Sequence, residues 1–212
     1  MKILVADDHA VVRRGLKQIL ADAFQDAEIG EAASTQEAFD LVWKQEWDLV
    51  LLDITMPGRS GLDLLKDLKH HRPHLPVLIL SVHPEEQYAL RVLKAGAAGY
   101  LNKESAVEEL VAAVKRVLAG GRYVSAALGE ALATSVNASA DRAAHENLSD
   151  REFEVLRLIA SGKTVSEISV QLSLSVKTIS TYRTRALAKM KMKTNAELMR
   201  YAVDHHLTDT AQ

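Results

Sequence analysis

Short apolar runs alternate with segments of helical period through the first part of the chain. Lys2–Ala6 reads as a strand ending on Asp7-Asp8, and Val11–Ala21 then carries Val12, Leu16, Ile19 and Leu20 at helical spacing. Glu28–Ala32 is a shorter strand, and Ser34 caps a helix over Glu37–Lys44. Asp48–Leu52 is apolar at Leu49, Val50, Leu51 and Leu52 and runs straight into Asp53, with Pro57 and Gly58 close behind. A strand without polar alternation is one buried on both faces, so Asp53 stands at its C-terminal tip. A helix from Gly61 to about His70, a strand Pro76–Val82 and a helix opened by Pro84 and running to Lys94 follow. Gly96 and Gly99 bracket a turn before the strand Ala98–Asn102, and Ser105 caps a helix Ala106–Ala119 that Gly120-Gly121 ends. Five strands alternating with five helices in about 120 residues predict an α/β, doubly wound parallel sheet. With right-handed crossovers the expected topology is flavodoxin-like, of order 2-1-3-4-5.

Beyond this the alternation stops. Residues 121–146 are rich in Ala, Ser, Asn and Thr, and only Leu128 and Leu132 keep a helical spacing, which predicts a partly helical linker. From Leu148 helices follow one another. Ser149 and Glu152 form a capping box ahead of Phe153, Leu156, Ile159 and Ala160, and Gly162 ends that helix. Thr164–Leu172 is the second, with Val165, Ile168 and Leu172 inward; Ser173-Leu174-Ser175 is a tight turn. Ser175 caps a third helix reaching about Met190, and Asn195–His205 is the fourth. The predicted organisation is an α/β domain over 1–120, a linker over 121–146, an all-α four-helix domain over 147–208 and a tail at 209–212.

Charge sharpens this division. Residues 1–120 hold 14 Lys+Arg against 18 Asp+Glu, residues 148–212 hold 10 against 7, and the stretch between holds 2 against 3, which together recover the totals of 26 and 28. An acidic front and a basic tail point to different partners for the two domains. Cysteine is absent, which excludes disulfides, thiolate metal sites and cysteine nucleophiles. No apolar run approaches the ~20 residues of a membrane span, and the N-terminus turns acidic too soon for a signal peptide. The expectation is a cytoplasmic protein.

In the order 2-1-3-4-5, Asp7 and Asp8, Asp53, Ser81 and Lys103 all fall at one edge of the sheet, where open parallel sheets place their chemistry. Three carboxylates packed together raise one another's pKa unless a cation joins them, and oxygen-only ligands favour Mg²⁺. With a lysine and a hydroxyl added, the set suits a phosphoryl group. His9 is read as a loop or helix-start residue rather than a ligand, and His70, His71 and His74 as complements to a helix end rather than a metal site.

Asp7-Asp8, Asp53-x-x-Met56-Pro57-x-x-x-Gly61, Ser81 and Tyr100-x-x-Lys103 together resemble the receiver domain of bacterial response regulators over roughly residues 1–120. The resemblance implies that Asp53 takes a phosphoryl group from a sensor histidine kinase or a small phosphodonor. It also implies that Asp8, Asp53 and the Thr55 backbone carbonyl hold Mg²⁺, with Asp7 acting through a bound water. Lys103 and Ser81 would bind phosphoryl oxygens, and Tyr100 would rotate inward behind Ser81. Many receivers place a cis proline after the lysine; here Glu104 stands there.

Lys177, Arg183, Arg185, Lys189, Lys191 and Lys193 lie between Leu174 and Ala196 with no acid among them. A short helix, a tight turn and a helix with basic and hydroxyl residues outward form a helix-turn-helix. Leu148-Ser149-Asp150-Arg151-Glu152-Phe153 and Ser175-Val176-Lys177-Thr178-Ile179-Ser180-Thr181-Tyr182 closely resemble the DNA-binding domain of NarL/FixJ (LuxR-type) regulators. That resemblance implies Ser180, Thr181 and Thr184 facing bases, Lys177, Thr178 and Lys189 on phosphates, and Arg183 on either. The fourth helix would pair a homodimer over a two-fold operator.

The sequence thus predicts a transcriptional regulator whose DNA binding is switched at Asp53, with no chemistry beyond gaining and losing its own phosphoryl group. Two other classes compete: a DNA-binding protein with an unphosphorylated receiver-like dimerisation module, and a metal-dependent phosphatase. Phosphatases of the haloacid dehalogenase type need an acid two residues after the nucleophile, and that position is Thr55.

Overall fold

Every residue of Leu49–Asp53 is buried, as a strand covered on both faces requires. In the computed structural model, which describes residues 1–56, 59–125, 128–129, 143–205 and 207–208, this strand is β3, the centre of a parallel sheet. The order is β2-β1-β3-β4-β5, as predicted, with β1 Lys2–Ala6, β2 Glu28–Ala32, β4 Val77–Ser81 and β5 Gly99–Asn102. The helices between them are α1 Ala10–Ala23, α2 Thr35–Lys44, α3 Gly61–His71, α4 Glu85–Lys94 and α5 Ala106–Leu118. Pro57, Gly58, Leu132 with most of the predicted linker, and the tail 209–212 lie outside the described residues.

Ile3, Val5, Leu49, Leu51, Leu78 and Leu80 face one core, filled by Leu16 and Leu20 of α1 and Leu110 and Val114 of α5. The alternate residues Leu4, Val50, Leu52, Ile79 and Tyr100 are buried on the other face. Each fully buried aliphatic side chain stabilises by about 1.5–3 kcal/mol. The polar tips of β1, β3 and β4 therefore stand on a rigid base.

Local chemistry sets the ends. The Ser34 hydroxyl accepts the Glu37 N–H, as predicted. Pro84 is the residue before α4 rather than its first turn. Ser105 does not cap α5 through its side chain, contrary to expectation. Its backbone is already helical at φ −90° and ψ −4°, and its hydroxyl instead donates to the Asn102 carbonyl at 3.2 Å.

The chain divides into two compact units, Met1–Ala133 and Thr134–Gln212. In the second, a 3₁₀ turn over Ala144–Asn147 precedes α6 Asp150–Ala160, α7 Val165–Gln171, α8 Val176–Lys189 and α9 Asn195–Asp204. The capping box of Ser149 and Glu152 forms, Thr164 and Glu167 make another, and Ser175 caps α8. Val155, Ile159, Ile168, Leu172 and Ile179 make the core. Glu152 does more than cap: its Oε2 lies 2.6 Å from Lys189 Nζ, which ties the end of α8 to the start of α6. Burial pushes the Glu152 carboxyl up, but Lys189 and Ser149 outweigh it and leave the pKa below its ordinary value.

The turn between α7 and α8 rests on Ser173, a non-glycine residue at φ 54°. Its N–H reaches the Val170 carbonyl at 3.2 Å and the Leu174 N–H reaches the Ser169 carbonyl at 3.0 Å, the paired bonds of a Schellman cap.

Ser173→Val, a β-branched residue forced left-handed, is expected to destabilise the second unit by about 1–2 kcal/mol. Ser173→Gly should be neutral or stabilising; urea unfolding followed by circular dichroism checks both. Because the folded pKa of Glu152 is depressed, its contribution is present above the unfolded value of 4.5 and is lost as pH falls through the folded value. Glu152→Gln should therefore flatten the acid limb of the stability–pH curve, read from unfolding midpoints below neutrality.

Candidate functional site

Asp53 ends β3 and is 1% exposed; Asp7, one residue past β1, is 0% exposed. Lys103 follows β5, and its Nζ lies 2.6 Å from Asp7 Oδ2 and 2.6 Å from Asp53 Oδ2. One ammonium thus bridges two carboxylates from separate strands. The Thr55 N–H donates to Asp53 Oδ1 at 2.9 Å, so both oxygens of Asp53 are anchored. The peptide joining Lys103 to Glu104 is trans, and the lysine reaches both acids with Glu104 where a proline is common.

The two partners shift in the same direction for different reasons. Burial is the largest influence on Asp53 and pushes its pKa up, against the pull of Lys103 and the Thr55 N–H; Asp7 adds a smaller upward push. Burial pulls Lys103 down, but Asp53 and Asp7 together outweigh it, so its pKa is raised and the ammonium stays charged. Repulsion between the carboxylates, expected to raise their pKa values, does so at Asp53, but less than loss of water does.

One oxygen each of Asp7, Asp8 and Asp53 and a ring nitrogen of His9 lie within 4.8 Å of one another. Asp8 Oδ1 is buried and accepts no hydrogen bond; His9 Nδ1 stands 3.0 Å away. Three carboxylates against one ammonium leave excess negative charge in a water-poor pocket, and oxygen donors with an unsatisfied buried oxygen fit a hard divalent cation. His9 is the residue before α1, as read from the sequence. Its approach to both acids, and the 2.6 Å bond from Arg13 to the Asp7 carbonyl, carry no sequence signal, because both depend on how α1 leaves β1.

Gly61, a motif residue of no assigned role, has a steric one. A Cβ there would lie 2.3 Å from the Asp53 carbonyl oxygen and 2.7 Å from Ile54 Cα. Only glycine lets α3 start against the end of β3.

Ser81 is fully buried, and its hydroxyl accepts the His83 N–H at 3.1 Å. Tyr100 is 1% exposed, already inward, and its hydroxyl donates to the His83 carbonyl at 2.7 Å. One residue, His83, therefore links both predicted switch residues, through its N–H on one side and its carbonyl on the other.

On α8 the side chains of Lys177, Thr181, Thr184, Arg185 and Lys189 are exposed, and Thr178, Ser180 and Arg183 are half-buried. The Thr181 and Thr184 hydroxyls each donate to the carbonyl four residues back at 2.9 Å, leaving lone pairs outward. Thr178 shares a 2.8 Å hydroxyl contact with Ser175. Arg183 is bonded to Asn195 and Lys189 to Glu152, two ties within the unit that helical periodicity does not reveal. Among the described residues no helix is long and apolar enough to cross a membrane.

The family description "response regulator receiver domain" matches residues 3–115, and "bacterial regulatory proteins, luxR family" matches residues 146–202. The response regulator GacA of Pseudomonas aeruginosa is 36% identical over 212 residues, covering 100% of this chain and 99% of GacA. The response regulator UvrY of Escherichia coli K12 is 34% identical over 208 residues, covering 98% of this chain and 95% of UvrY. Among solved structures, the RcsB response regulator of Salmonella typhimurium aligns with a TM-score of 0.69 at 27% identity, over 96% of this chain and 97% of that one. A structure of two RcsB dimers bound to two parallel DNAs aligns with a TM-score of 0.59 at 28% identity, over 96% and 98%. With the acid–lysine site at the sheet edge and the helix-turn-helix later in the chain, this chain belongs to the response regulators of the NarL/FixJ type, a receiver domain followed by a LuxR-type DNA-binding domain.

Proposed function

We propose that Asp53 is the phosphoacceptor of a two-component system and that its phosphorylation by a sensor histidine kinase switches dimerisation and sequence-specific DNA binding to regulate transcription. The observation that carries this reading is the Lys103 ammonium, 2.6 Å from both Asp7 and Asp53. It holds the nucleophile in place and leaves a positive charge where a phosphoryl oxygen would arrive. An Asp53 carboxylate oxygen forms the new O–P bond as the P–N bond of a phosphohistidine breaks, and the imidazole nitrogen keeps the electron pair. Thr55 N–H fixes the plane of the carboxylate, and the Ser81 hydroxyl turns its proton toward a phosphoryl oxygen. Asp8, Asp53 and the Thr55 carbonyl, with Asp7 through water, would hold Mg²⁺, which supplies charge neutralisation for the transferring group. The domain bounds we assign are 1–120 and 147–208, joined by the linker 121–146.

On DNA, Ser180, Thr181 and Thr184 are assigned to base edges, and Lys177 and Thr178 to phosphates, with Arg183 positioned for either. Lys189 was expected on a phosphate; its tie to Glu152 assigns it instead to holding α8 in place. Val203, an exposed apolar residue of α9, supports α9 as the surface that pairs two copies over a two-fold operator.

Incubation with acetyl phosphate and Mg²⁺ is expected to give a retarded band on a phosphate-affinity gel. The band should vanish with EDTA or with Asp53→Asn, and an equal band from Asp53→Asn would sink the assignment. Gly61→Ala should lower the labelling rate by pushing α3 off the Asp53 and Ile54 backbone. Selection from a random duplex pool, with and without phosphodonor, will yield a binding site. On that duplex Lys177→Ala should reduce the slope of log K against log salt by about 1, the loss of one phosphate contact. Lys189→Ala should leave the slope intact while lowering the unfolding midpoint.

A further inference from the structure

The chain leaving α5 stays on the sheet. Tyr123 bridges Gly99 in parallel at the open edge of β5. Its N–H donates to the Ala98 carbonyl at 3.0 Å, and its carbonyl accepts the Tyr100 N–H at 3.1 Å. Gly99 permits this approach, since a Cβ there would meet the Tyr123 carbonyl oxygen at 2.3 Å. The Tyr123 phenol donates to Glu109 of α5 at 2.7 Å. Burial, reinforced by Glu109, pushes that phenol up to about 12, so it remains a donor at neutral pH.

Two residues on, the Ser125 N–H donates to Glu85 Oε1, the first residue of α4, at 3.1 Å. Ser125 in turn holds two residues further along the chain. Its hydroxyl accepts the Leu128 N–H at 3.1 Å and its carbonyl the Gly129 N–H at 3.0 Å. The residue that aims the outgoing chain is thus itself held by α4.

These contacts close a ring. The His83 carbonyl accepts the Tyr100 hydroxyl; the Tyr100 N–H holds Tyr123; the chain runs to Ser125; Glu85 holds Ser125; and Glu85 leads back to His83 in two residues. The His83 N–H is meanwhile bonded to Ser81 at 3.1 Å. A phosphoryl group on Asp53 would offer the Ser81 hydroxyl proton a new acceptor, and movement of the Ser81 oxygen toward it would lengthen the bond from the His83 N–H. A shift of His83 moves the ring at two points, Tyr100 and Glu85.

We propose that residues 123–125 form a strap through which the receiver reports its state: a phosphoryl group on Asp53 loosens the Glu85–Ser125 bond and, with it, the hold of Ser125 on Leu128 and Gly129. Glu85 and Tyr123 are positioning residues in this scheme, remote from the chemistry. The proposal rests on the phosphoacceptor reading of Asp53.

Amide exchange of the full chain, read by NMR at Tyr123 and Ser125 with and without Mg²⁺ and beryllofluoride, tests it. In the wild type, modification should speed exchange at Ser125 about tenfold, the scale of losing one hydrogen bond to a charged acceptor. Glu85→Ala should show that fast exchange without modification and gain little on adding it. Glu85→Gln keeps a carbonyl acceptor and should behave as wild type. Phosphate-affinity gels should show Glu85→Ala labelled by acetyl phosphate at the wild-type rate, while labelling no longer changes its affinity for the selected duplex. Unchanged exchange at Ser125 in the modified wild type would overturn the strap, as would a full wild-type response in Glu85→Ala. Failure of Asp53 to accept phosphate, visible on the same gels, would count against the phosphoacceptor reading instead, and slow Ser125 exchange in unmodified Glu85→Ala would still refute the strap.

Discussion

An ammonium group clasped by two buried carboxylates is the constraint on which the first domain is built. Lys103, Asp7 and Asp53 come from the ends of three different strands; both acids are buried and the lysine side chain is 9% exposed. Removing one member of such a buried pair typically costs about 3–5 kcal/mol, because the charge left behind is unpaired. Nor do the charges balance internally: Asp8 adds a third carboxylate with a buried, unbonded oxygen. A pocket of this kind is stable only on a rigid frame, and it favours whatever brings further positive charge. The continuous apolar strands β1, β3 and β4 supply that frame.

The same frame limits how a change at the tip can travel. Strands packed at crystal-like density do not deform smoothly, so a signal has to pass through groups with two alternative partners. His83 lies on such a route, its N–H bonded to Ser81 and its carbonyl to Tyr100. β5 is an edge strand, and its free backbone groups are open to pairing; here Tyr123 takes them. Covering that edge protects the sheet and joins the outgoing chain to the strand that carries Tyr100.

The second domain obeys different rules. Its helices are short, and their directions are set at their ends by two capping boxes and a left-handed residue, Ser173, rather than by a sheet. Glu152 serves one of those caps and also holds Lys189. The angle of the exposed helix α8 is thereby coupled to the stability of α6. Charge on α8 divides accordingly: Lys177 is free to meet an anion, while Arg183 and Lys189 are engaged within the domain.

Most of the architecture was legible in the residues because it rests on local rules. Unbroken apolar runs marked doubly covered strands, and alternation with helical segments allowed one sensible sheet order. Ser34, Ser149 and Ser175 marked helix starts because a cap needs only near neighbours. The acid–lysine site was legible for a related reason, since residues at the C-terminal ends of neighbouring parallel strands are bound to meet. Whatever depends on contacts between distant segments was not. The pairing of Lys189 with Glu152, the bond from Ser125 to Glu85 and the place of His9 among the acids are set by how helices pack, and no periodicity encodes that. Ser105 shows the limit even locally, because its hydroxyl follows the Lys103 turn instead of the helix it precedes. The sequence by itself determined which side chains the strands deliver to one edge; only tertiary packing decided which of them touch, because burial and long-range hydrogen bonds are properties of the assembled chain.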